Sequence, residues 1–151
     1  MGREAYSVHL RAQASPAYTL WTCWEIGGDI LSDIPGREER RDILTSIMRA
    51  LNWPKGSIAF APLSSPSPGS VGLEPDLDLF RIYMKRISPV YLFCFGTRGR
   101  DILVSAPEFT ADPDQAFASK PLFVLPGLQE MISGDRNAKA MAWQTLKRFS
   151  P

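Results

Sequence analysis

The sequence predicts an α/β fold, a three-layer α/β/α sandwich around a central, mainly parallel, four-stranded sheet. Three observations predict it. Runs rich in β-branched and aromatic residues alternate along the chain with stretches whose apolar residues recur at helical spacing. Thirteen prolines and eleven glycines fall mostly between these runs, as punctuation. The runs carry apolar side chains on both parities, as strands covered on both faces require. Strands alternating with amphipathic helices connect in parallel and place helices on both faces of the sheet. A chain of 151 residues can bury roughly two-thirds of its unfolded surface in one core. The expected division is an N-terminal extension, residues 1–16, followed by one domain, residues 17–151.

Each element has its own warrant. Tyr18 to Trp24 opens the domain as a strand. Arg37 to Leu51 is a helix: Ile43, Leu44, Ile47, Met48 and Leu51 recur at helical spacing, while Arg37, Glu38, Glu39, Arg40 and Arg41 solvate its first turns. Ser57 to Ala61 is the second strand, ended by Pro62. Pro62 to Pro75, rich in Pro, Ser and Gly, reads as a long surface loop too poor in apolar residues to pack. A second helix, Asp76 to Ile87, puts Leu77, Phe80, Met84 and Ile87 on one face and stops at Ser88-Pro89. Val90 to Phe95 is the most hydrophobic strand, closed by Gly96. Ile102-Leu103-Val104 reads as a short edge strand, and Leu122 to Leu125 as the last strand, with Pro126-Gly127 as its turn. The final helix has Asp135 as N-cap before Ala138, Met141, Ala142, Leu146 and Phe149 at helical spacing, and Lys147 and Arg148 suit its C-terminal dipole.

Composition excludes several classes. A formal net charge of +1 removes the whole-molecule argument for nucleic acid, so any basic surface must be local. Cys23 and Cys94 lie inside apolar runs, lack metal-ligand spacing and read as buried thiols in a reducing compartment. No metal and no cofactor is expected. No stretch approaches the roughly eighteen consecutive apolar residues of a membrane span, and Met1 to Tyr6 lacks the apolar centre of a signal peptide. The expectation is a cytoplasmic protein without a membrane partner.

In a parallel sheet a ligand sits outside the carboxyl ends of the strands. That edge should collect Glu25 to Asp29, Pro62 to Ser65, Gly96 to Arg100 and Pro126-Gly127. A nucleophilic triad is excluded because the single histidine, His9, precedes the first strand and reads as a solvated or packing residue. Neither a Gly-Lys-Ser/Thr phosphate loop nor Gly-x-Gly-x-x-Gly occurs. Glu25-Ile26-Gly27-Gly28-Asp29 has two readings: backbone at Gly27 and Gly28 approaching a ligand while Glu25 and Asp29 hold a water, or a tight strand-to-helix turn. Gly96-Thr97-Arg98-Gly99-Arg100 is likewise either a phosphate contact or a solvated turn. Trp21, Trp24, Trp53 and Trp143 suit packing, and any one left exposed would suit a partner.

In order, these elements resemble the uracil-DNA glycosylase superfamily, over about Tyr18 to Phe149. Trp24-Glu25-Ile26-Gly27-Gly28 falls on the first motif, Gly-Glu-Ala-Pro-Gly, keeping the Glu and final Gly. Ile58 to Gly69 resembles the second strand and its Pro-rich segment, and Leu79 to Gly96 the helix and strand that follow. Val124-Leu125-Pro126-Gly127-Leu128, with Asn137 to Trp143, resembles the Tyr-His-Pro turn and closing helix. The resemblance implies a histidine that stabilises the leaving base, an asparagine that reads it and a residue that positions water. Here Leu125 stands at the histidine position and Ala61 or Pro62 at the asparagine position, and the four cluster cysteines of the bacterial branch are missing. Losing one such charge-stabilising donor typically costs about 10²–10³ in rate. A second resemblance, to the psi subunit of bacterial DNA polymerase III clamp loaders, implies the same scaffold without catalysis and a tail that docks on partners.

The expectation is therefore a degenerate, catalytically inactive member that binds another protein, of replication or repair machinery, through Met1 to Pro16 or the carboxyl edge. The alternative is a divergent DNA glycosylase acting on a damaged base, in which Glu25 or Asp29 activates water and Arg98 or Arg100 holds DNA. A nucleic-acid binder without chemistry is the third reading.

Overall fold

The computed structural model describes residues 2–32, 34–69, 72–106 and 121–151. Its central sheet is built from β1 (Thr19–Cys23), β2 (Ile58–Phe60), β5 (Tyr91–Phe95) and β6 (Leu122–Leu125), in the order β2-β1-β5-β6 and parallel throughout. A second, two-stranded antiparallel sheet pairs β3 (Ser64–Pro66) with β4 (Leu73–Pro75). The α/β/α layering predicted from the alternation of runs is the architecture observed. Alternate residues of β1 and β5 serve opposite layers, as the two-residue period of a strand dictates. On one face Leu20, Leu92 and Cys94 pack with α1 (Gly2–Ala12), α4 (Leu77–Ile87) and α5 (Thr97–Val104). On the other, Trp21, Cys23, Phe93 and Phe95 pack with α3 (Arg37–Leu51), α6 (Leu128–Ile132) and α7 (Arg136–Lys147).

Helix boundaries follow local chemistry. The Asp76 carboxylate accepts from Leu79 N at 3.0 Å and starts α4; Asp135 accepts from Asn137 N and Ala138 N and starts α7. Asn52, in the left-handed region at φ 50°, ends α3 and donates its N–H to Met48 O.

Three expectations need correction, and one segment gains an element. Ile102-Leu103-Val104 is no edge strand but the last turn of α5. Gly96, at φ 97°, turns the chain out of β5, and helical spacing then sets Gly99 and Leu103 against the sheet, so packing overrides the β-branched composition. The segment from Pro62 to Pro75 does pack: Leu63 and Ser64 are fully buried and β3 and β4 pair within it, while residues 70 and 71 lie outside the described residues. The N-terminal extension, to which the sequence reading assigned no element, is helical and packed on the domain. Residues 2–12 form α1, whose Tyr6 is buried in the core; Met1 lies outside the described residues. Met141, placed on the apolar face of α7, is 58% exposed, because Ala138, Ala142 and Leu146 make that face.

Helix α1 is held by a chain of hydrogen bonds. Tyr6 Oη donates to Gly27 O at 2.6 Å, and Tyr83 Oη donates to Tyr6 O at 2.9 Å. With its proton so committed, Tyr83 Oη accepts from His9 Nδ1 at 2.9 Å, which leaves His9 Nε2 to accept from Gln13 Nε2 at 3.3 Å. His9 is thus a packing residue in its neutral form, and burial lowers its pKa.

Candidate functional site

All four strand-end segments gather at the carboxyl edge. Gly96 N donates to Leu125 O at 2.9 Å, Gly96 packs on the backbone of Gly127, and Ser64 Oγ donates to Trp24 O at 2.7 Å. Pro126 and Gly127 lead from β6 into α6, an element the sequence reading left as a turn.

After β1 the chain turns at Trp24-Glu25 into the short helix α2 (Ile26–Asp29). Its glycines face protein. A Cβ on Gly27 would overlap the carbonyl oxygen and hydroxyl of Ser64, and one on Gly28 would meet Ile34 Cδ1 at 2.9 Å and Leu73 Cδ1 at 3.4 Å. Neither φ lies in the left-handed region. Close approach of β3 therefore explains the pair, which favours the tight-turn reading over backbone approach to a ligand.

Asp29 is committed. Arg40 Nε donates to Asp29 Oδ2 at 2.7 Å and its Nη2 to Oδ1, a two-point fork, while Arg40 Nη1 donates to Pro35 O at 3.0 Å. The bond to Asp29 raises the Arg40 pKa although burial opposes it. Glu25 is half-buried at the start of α2 and makes no side-chain cap there. Its carboxylate faces the two thiols. Burial first, then Glu25, pushes the Cys23 thiol well up and the Cys94 thiol up to about 12, so both are inert at neutral pH.

On the other side of the edge, Thr97 and Arg98 are exposed at the start of α5. The Arg98 guanidinium lies 3.8 Å above the Trp24 ring, and Arg100 donates to Asp101 at 2.9 and 3.0 Å. Gly99 is buried against Cys94 Sγ and Leu63. The edge thus offers an exposed cation, Arg98, but the carboxylate that would complete a water-activating pair, Asp29, is already spent on Arg40. Leu125 is 2% exposed and packs with α6, and Ala61 is fully buried.

A concavity that the sequence did not show runs from the carboxyl edge, at Ile26 and Asp29, along α3. A groove of about 540 Å³ opens between α1 and α3, beside the edge strand β2, with Phe60 and Cys23 among its lining residues. Its α3 wall is Arg37, Arg40, Arg41, Leu44, Thr45 and Met48. That spacing was visible as one helical face, but the sequence alone did not say that it stays uncovered. Among the described residues no cluster of His, Cys, Asp or Glu suits a metal ion, and no helix is long and apolar enough to cross a membrane. No protein-family model matches the chain, and no curated protein matches it either.

Proposed function

We propose that the chain is a catalytically inactive protein on a uracil-DNA glycosylase-like scaffold, which works by binding another protein as an accessory of replication or repair. The observation that carries this reading is Leu125. At the place where the resemblance puts the imidazole that stabilises the leaving base stands an aliphatic side chain, 2% exposed and packed into the core, and Ala61 or Pro62, both buried, stands at the base-reading position. No donor at either place faces a substrate, and Asp29 is held by Arg40. Apolar side chains exposed on the outer helices, Val8 of α1 and Ile82 of α4 in one layer and Met141 of α7 in the opposite one, are the separate points at which partner contact is to be tested.

The test has two arms. Purified protein is incubated with oligonucleotides containing uracil or hypoxanthine; no base release is expected. Turnover that disappears in Glu25→Gln would overturn the reading in favour of the divergent glycosylase. In the second arm, proteins co-purifying with the chain are identified and re-made pure. Direct binding weakened by Val8→Asp, Ile82→Asp or Met141→Asp, without loss of melting temperature, is expected; binding to DNA alone, steeply reduced by salt and by Arg98→Ala, would replace the protein partner with nucleic acid.

A further inference from the structure

The groove between α1 and α3 adjoins the carboxyl edge, sharing Ile26 and Asp29 with it but none of Glu25, Arg98 or Gly127, and its volume of about 540 Å³ falls within the roughly 300–1,000 Å³ of small-molecule sites. Its two ends differ in chemistry. Along α3 the lining begins with Arg37, Arg40 and Arg41 and continues with Leu44, Thr45 and Met48. At a helical rise of about 1.5 Å per residue, the wall from Arg37 to Met48 runs about 16 Å, cationic at one end and apolar at the other. Ala5 and Val8 of α1 form the facing wall, and Ile26, Phe60 and Leu128 complete the apolar lining.

Charge decides which occupant fits. Among the described lining residues Asp29 is the one carboxylate, and it is taken by Arg40, so the charge that matters at this end is that of Arg41. His9, also in the wall, is neutral, bonded to Tyr83 and Gln13. The acidic neighbours on α3, Glu38, Glu39 and Asp42, do not line the groove. With Arg40 and Asp29 paired, the Arg41 guanidinium gives this end of the described lining its positive charge. Arg41 is exposed there, and a guanidinium offers a carboxylate two parallel N–H donors. An apolar cation would meet the arginines, and an uncharged chain would gain nothing from them.

We propose that this groove binds a small carboxylate with an apolar tail, a medium-chain fatty acid or its aryl equivalent. The carboxylate sits on Arg41 and the tail runs between Val8 and the Leu44–Met48 stretch, across Phe60. The concave, two-walled shape and the volume favour a free small molecule over a flat protein or bilayer surface. Only the apolar body needs burying, and the head stays at the mouth.

The probe is dodecanoate, titrated below its aggregation range into the intact chain and followed by calorimetry and by amide chemical shifts, with dodecan-1-ol and dodecyltrimethylammonium as controls. Expected are one-to-one binding of dodecanoate with shifts on α1 and α3, at least tenfold weaker binding of the alcohol, and none of the cation. Arg41→Glu should weaken dodecanoate at least tenfold, and Val8→Trp, at a position 54% exposed, should block it; both should melt like the parent protein. Equal affinity for acid and alcohol, no effect of either substitution, shifts centred elsewhere, or no saturable binding would each overturn the proposal. The titration uses neither DNA nor a partner protein, so its failure leaves the functional reading standing.

Discussion

Substituting Gly27 by alanine separates a glycine kept for close packing from one kept for a ligand. The new Cβ would overlap Ser64 O and Oγ and come within 2.7 Å of the Ser64 carbonyl carbon. These are mostly backbone atoms, so α2 and β3 must move apart. Overpacking of this kind typically costs about 1–3 kcal/mol. The shift also strains the bond from Ser64 Oγ to Trp24 O and the one from Tyr6 Oη to Gly27 O, each contributing about 1 kcal/mol. Alanine returns about 1 kcal/mol in helix propensity, leaving a net loss of about 2–4 kcal/mol. In a domain of this size that lowers the melting temperature by about 10 °C. Gly28→Ala is the control, because its Cβ meets only the methyl ends of Ile34 and Leu73; those can swing aside, and its stability should stay within about 1 kcal/mol of the parent. Thermal and urea unfolding followed by circular dichroism measure both. A Gly27→Ala protein that melts within 2–3 °C (about 1 kcal/mol) of the parent, or a Gly28→Ala protein that falls further, would refute the packing account.

Two further outcomes follow from buried polar groups. Thr22 Oγ1 is buried without a hydrogen-bond partner among the described residues, so Thr22→Val, which keeps the β-branched shape, should raise stability by about 1 kcal/mol in urea unfolding; a loss would mean that the hydroxyl has a partner. Burial holds the folded pKa of His9 below the ordinary 6.5. The unfolded chain therefore binds the His9 proton first as pH falls. Stability from this group is complete above pH 6.5 and is lost as pH drops below it. Unfolding measured from pH 7.5 to 5.5 should show that decline in the parent and not in His9→Gln.

How much of this was legible depends on whether the deciding interaction is local. Helices α3, α4 and α7 could be read because their periodicity, together with Asp76 and Asp135 as caps, is written within a few residues. Strand β5 could be read because both of its faces are buried and its side chains are apolar on both parities. Helix α5 could not, since Ile102-Leu103-Val104 has strand composition and only the position of Leu103 against the sheet makes it helical. The hairpin of β3 and β4 could not, because Ser64 is a polar residue buried by tertiary contact and the half-buried Ser65 is held by another, its Oγ donating to Asp76 Oδ2 at 2.7 Å. The same division holds at the edge. That Glu25, Gly27, Gly96, Arg98 and Gly127 would lie at strand ends follows from strand polarity. That Asp29 would be spent on Arg40, eleven residues away, and Arg98 laid over Trp24, could not be read without the turn that joins them.

The N-terminal segment shows where local reading and tertiary fact part most sharply, and why the groove exists. Strand β2 is an edge: Thr19 N donates to Ser57 O at 2.8 Å and Ala61 N to Trp21 O at 3.2 Å, so alternate residues turn their backbone toward β1, and Phe60 turns outward. An unpaired edge amide invites pairing with another chain. Gln13 Oε1 takes the Phe60 N–H at 2.9 Å, from just beyond α1. The same glutamine donates to His9, which bonds Tyr83, which bonds the Tyr6 carbonyl, so closing the sheet edge and docking α1 are one network. An arm that left the domain to reach a partner would open that edge, unsatisfy Tyr83 and remove Ala5 and Val8 from the groove wall at once. Residues 2–13 therefore belong to the fold, and any partner contact they make is made from the outer face of a docked helix.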